Sequence, residues 1–162
     1  MQPVRFDMAV RLTGLSRRTF WRRMADRTEA ETRDLPRGMV DLEALREDLP
    51  FPASPADLQR IRDADAGDAE ALHDVALMLM EANEFEQAVH WLERASAQNH
   101  PDAMHWLGRC YLRGEGVAPN VSVGLSWLAR SAAHGHVIST AQLHSLHPEL
   151  LQQYLGAQAQ SA

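Results

Sequence analysis

The sequence predicts a mainly α-helical fold, in which a small winged helix-turn-helix head precedes an α/α superhelical repeat solenoid. Two observations carry this prediction. An arginine-rich stretch follows a glycine near the N-terminus, and similar helix-forming segments recur at spacings of 32 to 36 residues in the rest of the chain. The chain has 162 residues, of which 45% are apolar, and this suffices for one ordinary domain or two small ones with packed cores.

A proline-rich segment separates the two predicted parts. Three prolines lie between residues 50 and 55, and because proline lacks a backbone donor and restricts its predecessor, no long helix crosses this segment. Ser54 is a suitable N-cap and Pro55 suits a first helical position, so a new helix is expected to start here. The predicted parts are a head at residues 1–50, a solenoid at residues 51–155 and a frayed tail at residues 156–162.

The first two predicted helices lie on either side of a glycine. Apolar residues spaced three apart, from Ala9 to Leu15, form one face of the first helix. Gly14 ends this helix, and Ser16 is a suitable N-cap for a second helix at residues 17–27. Two helices joined by a short glycine turn are the layout of a helix-turn-helix.

The second helix has an apolar face and a basic face. Phe20 and Met24 are four residues apart, so they share one face and are expected to point into the core. Trp21 is expected to be buried as well, because large aromatic side chains usually are. The side chains expected to point outward are Arg17, Arg18, Arg22 and Arg23.

A turn and a third helix are predicted after the basic helix. Pro36 and Gly38 indicate a tight turn between two short extended pieces, at residues 33–40. Asp41 is then expected to cap a third helix. The predicted apolar face of that helix consists of Leu42, Leu45 and Leu49.

The segment T-G-L-S-R-R-T at residues 13–19, followed by P-R-G-M-V-D-L-E-A-L at residues 36–45, resembles the winged helix-turn-helix of the MerR and excisionase class. The resemblance implies that the second helix enters the major groove of double-stranded DNA. It implies base-edge contacts from Arg17, Arg18 and Arg22. It also implies contacts nearer the phosphates from Ser16, Thr19, Arg23 and Arg37.

Internal repetition is the strongest signal in the second part. The segments WLERASAQNH (residues 91–100) and WLARSAAHGH (residues 127–136) are identical at five of ten positions and lie 36 residues apart. Residues 69–80 align with residues 101–112 at an offset of 32. The units are therefore helix pairs of the length found in solenoid proteins, in which each unit buries its faces against its neighbours.

These units resemble Sel-one-like repeats, which are relatives of tetratricopeptide repeats. Gly124 stands where the repeat usually has alanine, so its helix is expected to be weaker by ~1 kcal/mol. The resemblance implies an α/α superhelix that serves as a scaffold for a protein partner. The residues of the second unit that carry it are Ala103, Leu107, Gly108, Tyr111, Gly114, Gly116, Val117, Trp127, Leu128, Ser131, Ala132, Gly135 and His136.

Single helices are predicted to cap the two ends of the solenoid. The helix before the first unit would use Leu58, Ile61 and Ala64. The helix after the last unit would use Ile138, Leu143 and Leu146, and a final helix would use Leu150, Leu151 and Tyr154. The alternative for this end is a dimer surface.

No catalytic site, metal site or cofactor is predicted. His100 and His136 occupy the same position in successive units, so we assign them to the repeat pattern rather than to a metal site with His134. Cys110 is expected to be a small buried side chain without an activating basic neighbour. Because no nucleophile, base and orienting carboxylate form a recognisable pattern, the chain is not predicted to be an enzyme.

The charge distribution agrees with a basic head on an acidic protein. The net charge is −6, and every basic residue is an arginine. Residues 1–49 hold ten arginines and nine acidic residues, whereas residues 50–162 hold six arginines and thirteen acidic residues. A local basic face of this kind is typical of a small nucleic-acid-binding unit joined to a part that does not bind nucleic acid.

The sequence thus predicts a bacterial, cytoplasmic DNA-binding transcriptional regulator that binds double-stranded DNA through its head and a protein partner through its solenoid. A homodimer is one way for so small a head to gain specificity. The alternative is a protein-interaction adaptor or scaffold that does not bind DNA, which the acidic residues Glu29, Glu31 and Asp34 near the wing favour. A single cysteine fits a reducing compartment, and no apolar stretch approaches the ~20 residues of a membrane-spanning helix.

Overall fold

The computed structural model describes residues 3–25 and 36–146, which are mainly helical. The N-terminal part contains β1 (Pro3–Arg5), α1 (Phe6–Thr13), α2 (Arg17–Ala25), β2 (Met39–Asp41) and a 3-10 helix (Glu43–Asp48). The C-terminal part contains α3 (Pro55–Ala66), α4 (Ala69–Glu81), α5 (Phe85–Ser96), α6 (Pro101–Arg113), α7 (Val121–Ala133) and α8 (Val137–Leu146).

Two helices form on either side of Gly14, as the sequence predicts. Gly14 adopts the left-handed conformation, with φ 66°, and this ends α1 because glycine takes up that conformation without a steric penalty. The Oγ of Ser16 accepts a hydrogen bond from the N–H of Thr19 at 3.1 Å. Ser16 therefore caps α2, which begins at the next residue.

The predicted third helix is present as a 3-10 helix with Leu42 at its N-cap position, so the prediction that Asp41 caps it is wrong. Asp41 lies in β2, where it pairs with Pro3 of β1. Leu49 is already extended, with φ −71° and ψ 142°, as the residue before a proline usually is. Between these two constraints the chain forms only the short 3-10 helix. The predicted apolar positions are confirmed, since Leu42, Leu45 and Leu49 are all buried.

Of the two extended pieces predicted at residues 33–40, the second forms β2 and pairs with β1 at the N-terminus. β2 runs antiparallel to β1, with Val40 opposite Val4. The N–H of Phe6 donates to the carbonyl oxygen of Gly38 at 2.9 Å, which extends this contact beyond the strands. The other predicted piece, at residues 33–35, lies outside the described residues. Val4 and Val40 are both buried, so the two strands cover one side of the core of the head.

The helix after the proline-rich segment begins as predicted. Ser54 and Asp57 form a capping box, in which the Oγ of Ser54 accepts from the N–H of Asp57 at 3.2 Å and Asp57 Oδ2 accepts from the N–H of Ser54 at 2.8 Å. Pro55 lies in the first turn. The apolar side chains predicted for this helix are buried, namely Leu58, Ile61 and Ala64.

The head and the solenoid share one apolar core across the proline-rich segment. Buried residues from β1 through α6 form a continuous cluster. At its edge, Arg5 Nε donates to Asp65 Oδ1 of α3 at 2.8 Å. The turn between α1 and α2 touches α5, because a Cβ placed on Gly14 would lie 1.9 Å from Gln87 Nε2. The head therefore packs directly on the first helices of the solenoid.

Two glycines allow the close contact between α6 and α7. A Cβ placed on Gly108 would lie 2.9 Å from the carbonyl oxygen of Gly124, and one placed on Gly124 would lie 2.7 Å from Leu112 Cγ. Both distances are shorter than a normal van der Waals contact. The glycine that the sequence suggests as a weak point of its helix thus has a packing reason.

α8 contacts the solenoid through a serine, which differs from the predicted apolar stripe. Ser139 is fully buried, whereas Ile138 is 57% exposed, so the expected role of Ile138 in the end cap is wrong. The Oγ of Ser139 bonds to Ser131 of α7 and to His105 of α6, and these polar partners set which side of α8 faces inward. The predicted final helix with Leu150 and Leu151 lies outside the described residues.

Candidate functional site

The predicted DNA-binding helix, α2, is held on α1 by its inner face. Phe20 is only 1% exposed, and its ring meets the ring of Phe6 edge to face, with centroids 5.1 Å apart. Met24 is partly buried against the same core, as predicted. This packing fixes the rotation of α2 about its axis and therefore decides which of its side chains face outward.

The predicted base-contacting arginines all lie on the exposed surface of α2. Arg18 and Arg22 are four residues apart, so they project from the same face, and neither forms an ion pair with any residue that the structure describes. Arg17 is paired with Asp7 of α1, with Nη2 2.9 Å from Oδ1. Its guanidinium group also lies over the ring of Phe6, 5.5 Å from the centroid.

The predicted phosphate-contacting residues occupy three different environments. Ser16 and Thr19 form a pair at the start of α2, with their hydroxyl oxygens 2.9 Å apart. Arg23 is paired with Asp48, at the end of the 3-10 helix. Arg37 is exposed in the turn before β2 and has no ion pair within residues 3–25 and 36–146. The structure thus places Arg37 on an element separate from the other six predicted residues.

Trp21 is exposed, so the prediction that it belongs to the core is wrong. Its side chain is 61% accessible to solvent, and its ring stacks on that of Phe6 at a centroid distance of 4.8 Å. The neighbouring Phe20 fills the core position, and successive helix residues point in directions ~100° apart. Trp21 therefore points outward on the side of α2 that carries Arg18, three residues before it. The spacing of three residues from Arg18 to Trp21 was the feature of the sequence that could have predicted this exposure.

The contact between the two repeat units contains a pair of stacked histidines. The rings of His73 in α4 and His100 are 4.9 Å apart and inclined by 22°. His100 Nδ1 accepts a hydrogen bond from the N–H of Ala103 at 3.2 Å and so caps α6. Its other nitrogen, Nε2, lies 2.8 Å from Glu70 Oε2.

The second unit repeats this arrangement where it meets α8. The rings of His105 and His136 stack at 4.4 Å, and His136 Nδ1 accepts from the N–H of Ser139 at 3.0 Å. His136 Nε2 lies 2.9 Å from Asp102 Oδ1. Here the buried histidine also has a partner, since His105 Nδ1 lies 2.8 Å from Ser139 Oγ. Burial, together with the neighbouring His136 ring, lowers the pKa of His105 to about 4.

The structure supports a capping role for His100 and His136 but gives each a neighbour that the sequence analysis missed. His73 and His105, which stack on them, align with each other at the same offset of 32 that relates the two units. Glu70 and Asp102 align in the same way. The recurrence of an acidic residue and a histidine at matching positions of both units could have predicted these contacts from the sequence.

The single cysteine is confirmed as a buried structural side chain. Cys110 lies in α6 and is inaccessible to solvent. Burial raises the pKa of its thiol to about 11, so the thiol stays protonated and is a poor nucleophile near neutral pH. Among the described helices, none has the length and apolar character needed to cross a bilayer.

Comparison with known families identifies two Sel1 repeats in the chain, at residues 69–100 and 101–136. These ranges coincide with the pairs α4–α5 and α6–α7, which confirms the repeat prediction and shows a protein–protein interaction module in an α-helical solenoid. The comparisons give no match for the MerR/excisionase-like head, which therefore stays a prediction. No curated protein and no solved structure shows a significant match to the chain.

Proposed function

We propose that this chain is a DNA-binding transcriptional regulator, in which α2 contacts the major groove and the Sel1 repeats bind a protein partner. The observation that carries the proposal is the exposed pair Arg18 and Arg22. They project from one face of a helix that Ser16 caps and Phe20 anchors in the core. A guanidinium group can donate two hydrogen bonds to the edge of a guanine, which makes arginine suited to contact bases.

The ion pairs of the other arginines are compatible with DNA binding. The ion pair between Arg17 and Asp7 is exposed on both sides, with side-chain accessibilities of 69% and 71%, and exposed ion pairs contribute only ~0–1 kcal/mol. Arg17 can therefore leave Asp7 for DNA at small cost. Arg23 is 50% exposed whereas Asp48 is only 12% exposed, so Arg23 would contact a phosphate while it stays paired with Asp48. Ser16 and Thr19 lie at the N-terminus of α2, where the helix dipole favours a phosphate group.

The proposed role is binding rather than catalysis, and it belongs in the cytoplasm, where the target DNA is. One short helix in the groove gives weak binding, so specificity would come from a homodimer or from a partner held on the repeats. The solenoid carries most of the acidic excess of the chain. It would therefore not bind DNA itself, and it leaves the arginine face of the head as the surface for DNA.

The test is retention of random duplex DNA on the purified full chain at two salt concentrations, followed by sequencing. We expect an enriched motif and an affinity that falls steeply with salt. Replacing both Arg18 and Arg22 with alanine removes two base contacts, so affinity for the motif should fall by about 2 kcal/mol or more, roughly 30-fold. The matched control replaces Arg62 and Arg113, two exposed arginines of the solenoid, and should leave the affinity unchanged.

The alternative function, a protein-docking head on an adaptor, is favoured by one observation. Trp21 exposes a large apolar surface on the side of α2 that carries Arg18, and exposed tryptophan is typical of protein interfaces. The same experiment separates the two functions. Retention without a motif, or equal loss in the head variant and the control variant, would contradict sequence-specific regulation. No retention at low salt would make the adaptor the leading function.

A further inference from the structure

We propose that Glu70, His73 and His100 bind a divalent transition-metal ion of the zinc type at the contact between the two Sel1 repeats. One ligand atom from each residue can be chosen so that all three lie within 4.8 Å of one another. Glu70 and His73 belong to α4, and His100 immediately precedes α6. A bound ion would therefore join the first helices of two consecutive repeats, once the stacked rings of His73 and His100 turn so that a nitrogen of each points at the ion in the plane of its ring. The proposal is independent of the function proposed for the head.

His73 provides a second observation that points to a ligand. His73 is only 8% exposed, and neither of its ring nitrogens has a hydrogen-bond partner among the residues that the structure describes. The nearest carboxylate, that of Asp74, is 3.8 Å from Nδ1, which is too far for a hydrogen bond. Buried polar atoms without a partner are rare and call for an explanation such as an ion.

The second repeat contact shows which side chain can act as the partner of the buried histidine in place of a metal ion. Asp102, His105 and His136 occupy the positions that correspond to Glu70, His73 and His100. There, Ser139 Oγ bonds to His105 Nδ1 at 2.8 Å. The backbone N–H of Ser139 donates to Nδ1 of His136 just as that of Ala103 donates to Nδ1 of His100, so Ser139 and Ala103 occupy equivalent positions. Because alanine has no hydroxyl group, the first contact leaves the nitrogens of His73 available.

The ligand set selects the kind of metal. Two imidazole nitrogens and one carboxylate oxygen suit zinc and its neighbours in the first transition series, whereas calcium and magnesium prefer oxygen ligands. Glu70 has a side chain that is 74% exposed, so the carboxylate lies at the open side of the cluster. A water molecule could supply a fourth ligand from that side, as in zinc sites with three protein ligands.

Metal binding would move the ring proton of His100 from Nε2 to Nδ1. In the structure, Nδ1 accepts the N–H of Ala103, so the neutral ring carries its proton on Nε2, which faces Glu70. A metal ion at Nε2 takes the place of that proton, and a neutral ring then carries its proton on Nδ1. The bond from Ala103, which is long at 3.2 Å, is given up. Binding is therefore coupled to the cap of α6.

The test is titration of the metal-free full chain with Zn²⁺ by calorimetry and with Co²⁺ by visible absorption. Glu70→Gln removes a carboxylate on the surface, and His73→Phe keeps a stacked ring without nitrogens. Both should weaken Zn²⁺ binding at least tenfold. Ala103→Ser should do the same by giving His73 the hydroxyl partner that His105 has. The control, His134→Gln, removes an exposed histidine outside the cluster and should bind as the wild type does.

Nitrogen NMR of the histidine rings gives a readout that does not depend on affinity. On adding Zn²⁺, the His100 proton should move from Nε2 to Nδ1. Absence of Zn²⁺ binding, binding equal in the wild type and Glu70→Gln, or binding with the His100 proton still on Nε2 would each overturn the proposal. Circular dichroism checks that each variant is folded. Should His73→Phe unfold, Glu70→Gln and Ala103→Ser still decide the question.

Discussion

Replacing Ser139 with alanine should destabilise the protein far more than its size suggests. Ser139 is fully buried, and its Oγ lies 2.8 Å from His105 Nδ1, 2.9 Å from His136 Nδ1 and 2.9 Å from Ser131 Oγ. The methyl group of alanine can replace none of these contacts. The substitution therefore leaves a buried imidazole nitrogen without its partner between α6 and α8.

The expected size of the effect follows from those contacts. Leaving a buried polar group without a partner costs about 1–3 kcal/mol. Against this, alanine favours a helix over serine by a few tenths of a kcal/mol, roughly 0.5 kcal/mol at most. The net loss in the free energy of unfolding should be about 2 kcal/mol. For a chain of this length that corresponds to a fall in Tm of roughly 4–8 °C.

The assay is urea unfolding followed by circular dichroism, with Ser145→Ala as the matched control. Ser145 lies in the same helix but is exposed, and among the described residues its hydroxyl bonds to the carbonyl oxygen of Gln142 alone. Both variants make the same chemical change in α8, so their difference isolates the buried hydrogen bonds. If the two variants unfold at the same urea concentration, the serine does not hold this end of the solenoid together.

Two further predictions concern the same repeats. Gly124→Ala should destabilise the chain by ~1–2 kcal/mol in urea unfolding. The clash of the new Cβ with Leu112 Cγ at 2.7 Å outweighs the ~1 kcal/mol by which alanine stabilises a helix relative to glycine. A more stable variant would contradict the close packing. The free energy of unfolding should also fall as the pH drops from 6.5 toward about 4. The pKa of His105 is lowered from 6.5 to about 4 in the folded chain, so between these two pH values the unfolded chain binds a proton that the folded chain does not. The loss attributable to this group is ~3 kcal/mol at most, and in His105→Gln the same pH titration should be flatter.

Local chemistry made much of the fold predictable from the sequence. Gly14, Ser16 and Ser54 act through their own backbone and the next turn of the chain, so their roles as helix ends are visible in a few residues. The repeats were predictable because a second copy of the same pattern lies 36 residues away. Both signals depend on short-range chemistry or on repetition, and neither requires knowledge of the tertiary structure.

The features that the sequence analysis missed depend on contacts between distant segments. Aspartate is a common N-cap residue, but the pairing of Asp41 with Pro3 places it in a strand. Trp21 has the size of a core residue, but the ring of Phe6 packs on Phe20 in the core and leaves Trp21 exposed. His73 meets His100 only because α4 and α6 stack. In each case the deciding partner lies elsewhere in the structure, where local propensity gives no information about it.

The shared core of head and solenoid determines which substitutions can test function. Gly14 touches Gln87, Arg5 binds Asp65, and buried apolar residues continue from the strands of the head into the repeats. A substitution in this contact would alter stability and binding together, because separating the two parts would expose apolar surface. Arg18 and Glu70 are both exposed. Variants at these exposed positions can therefore test DNA binding and metal binding while the common core keeps its packing.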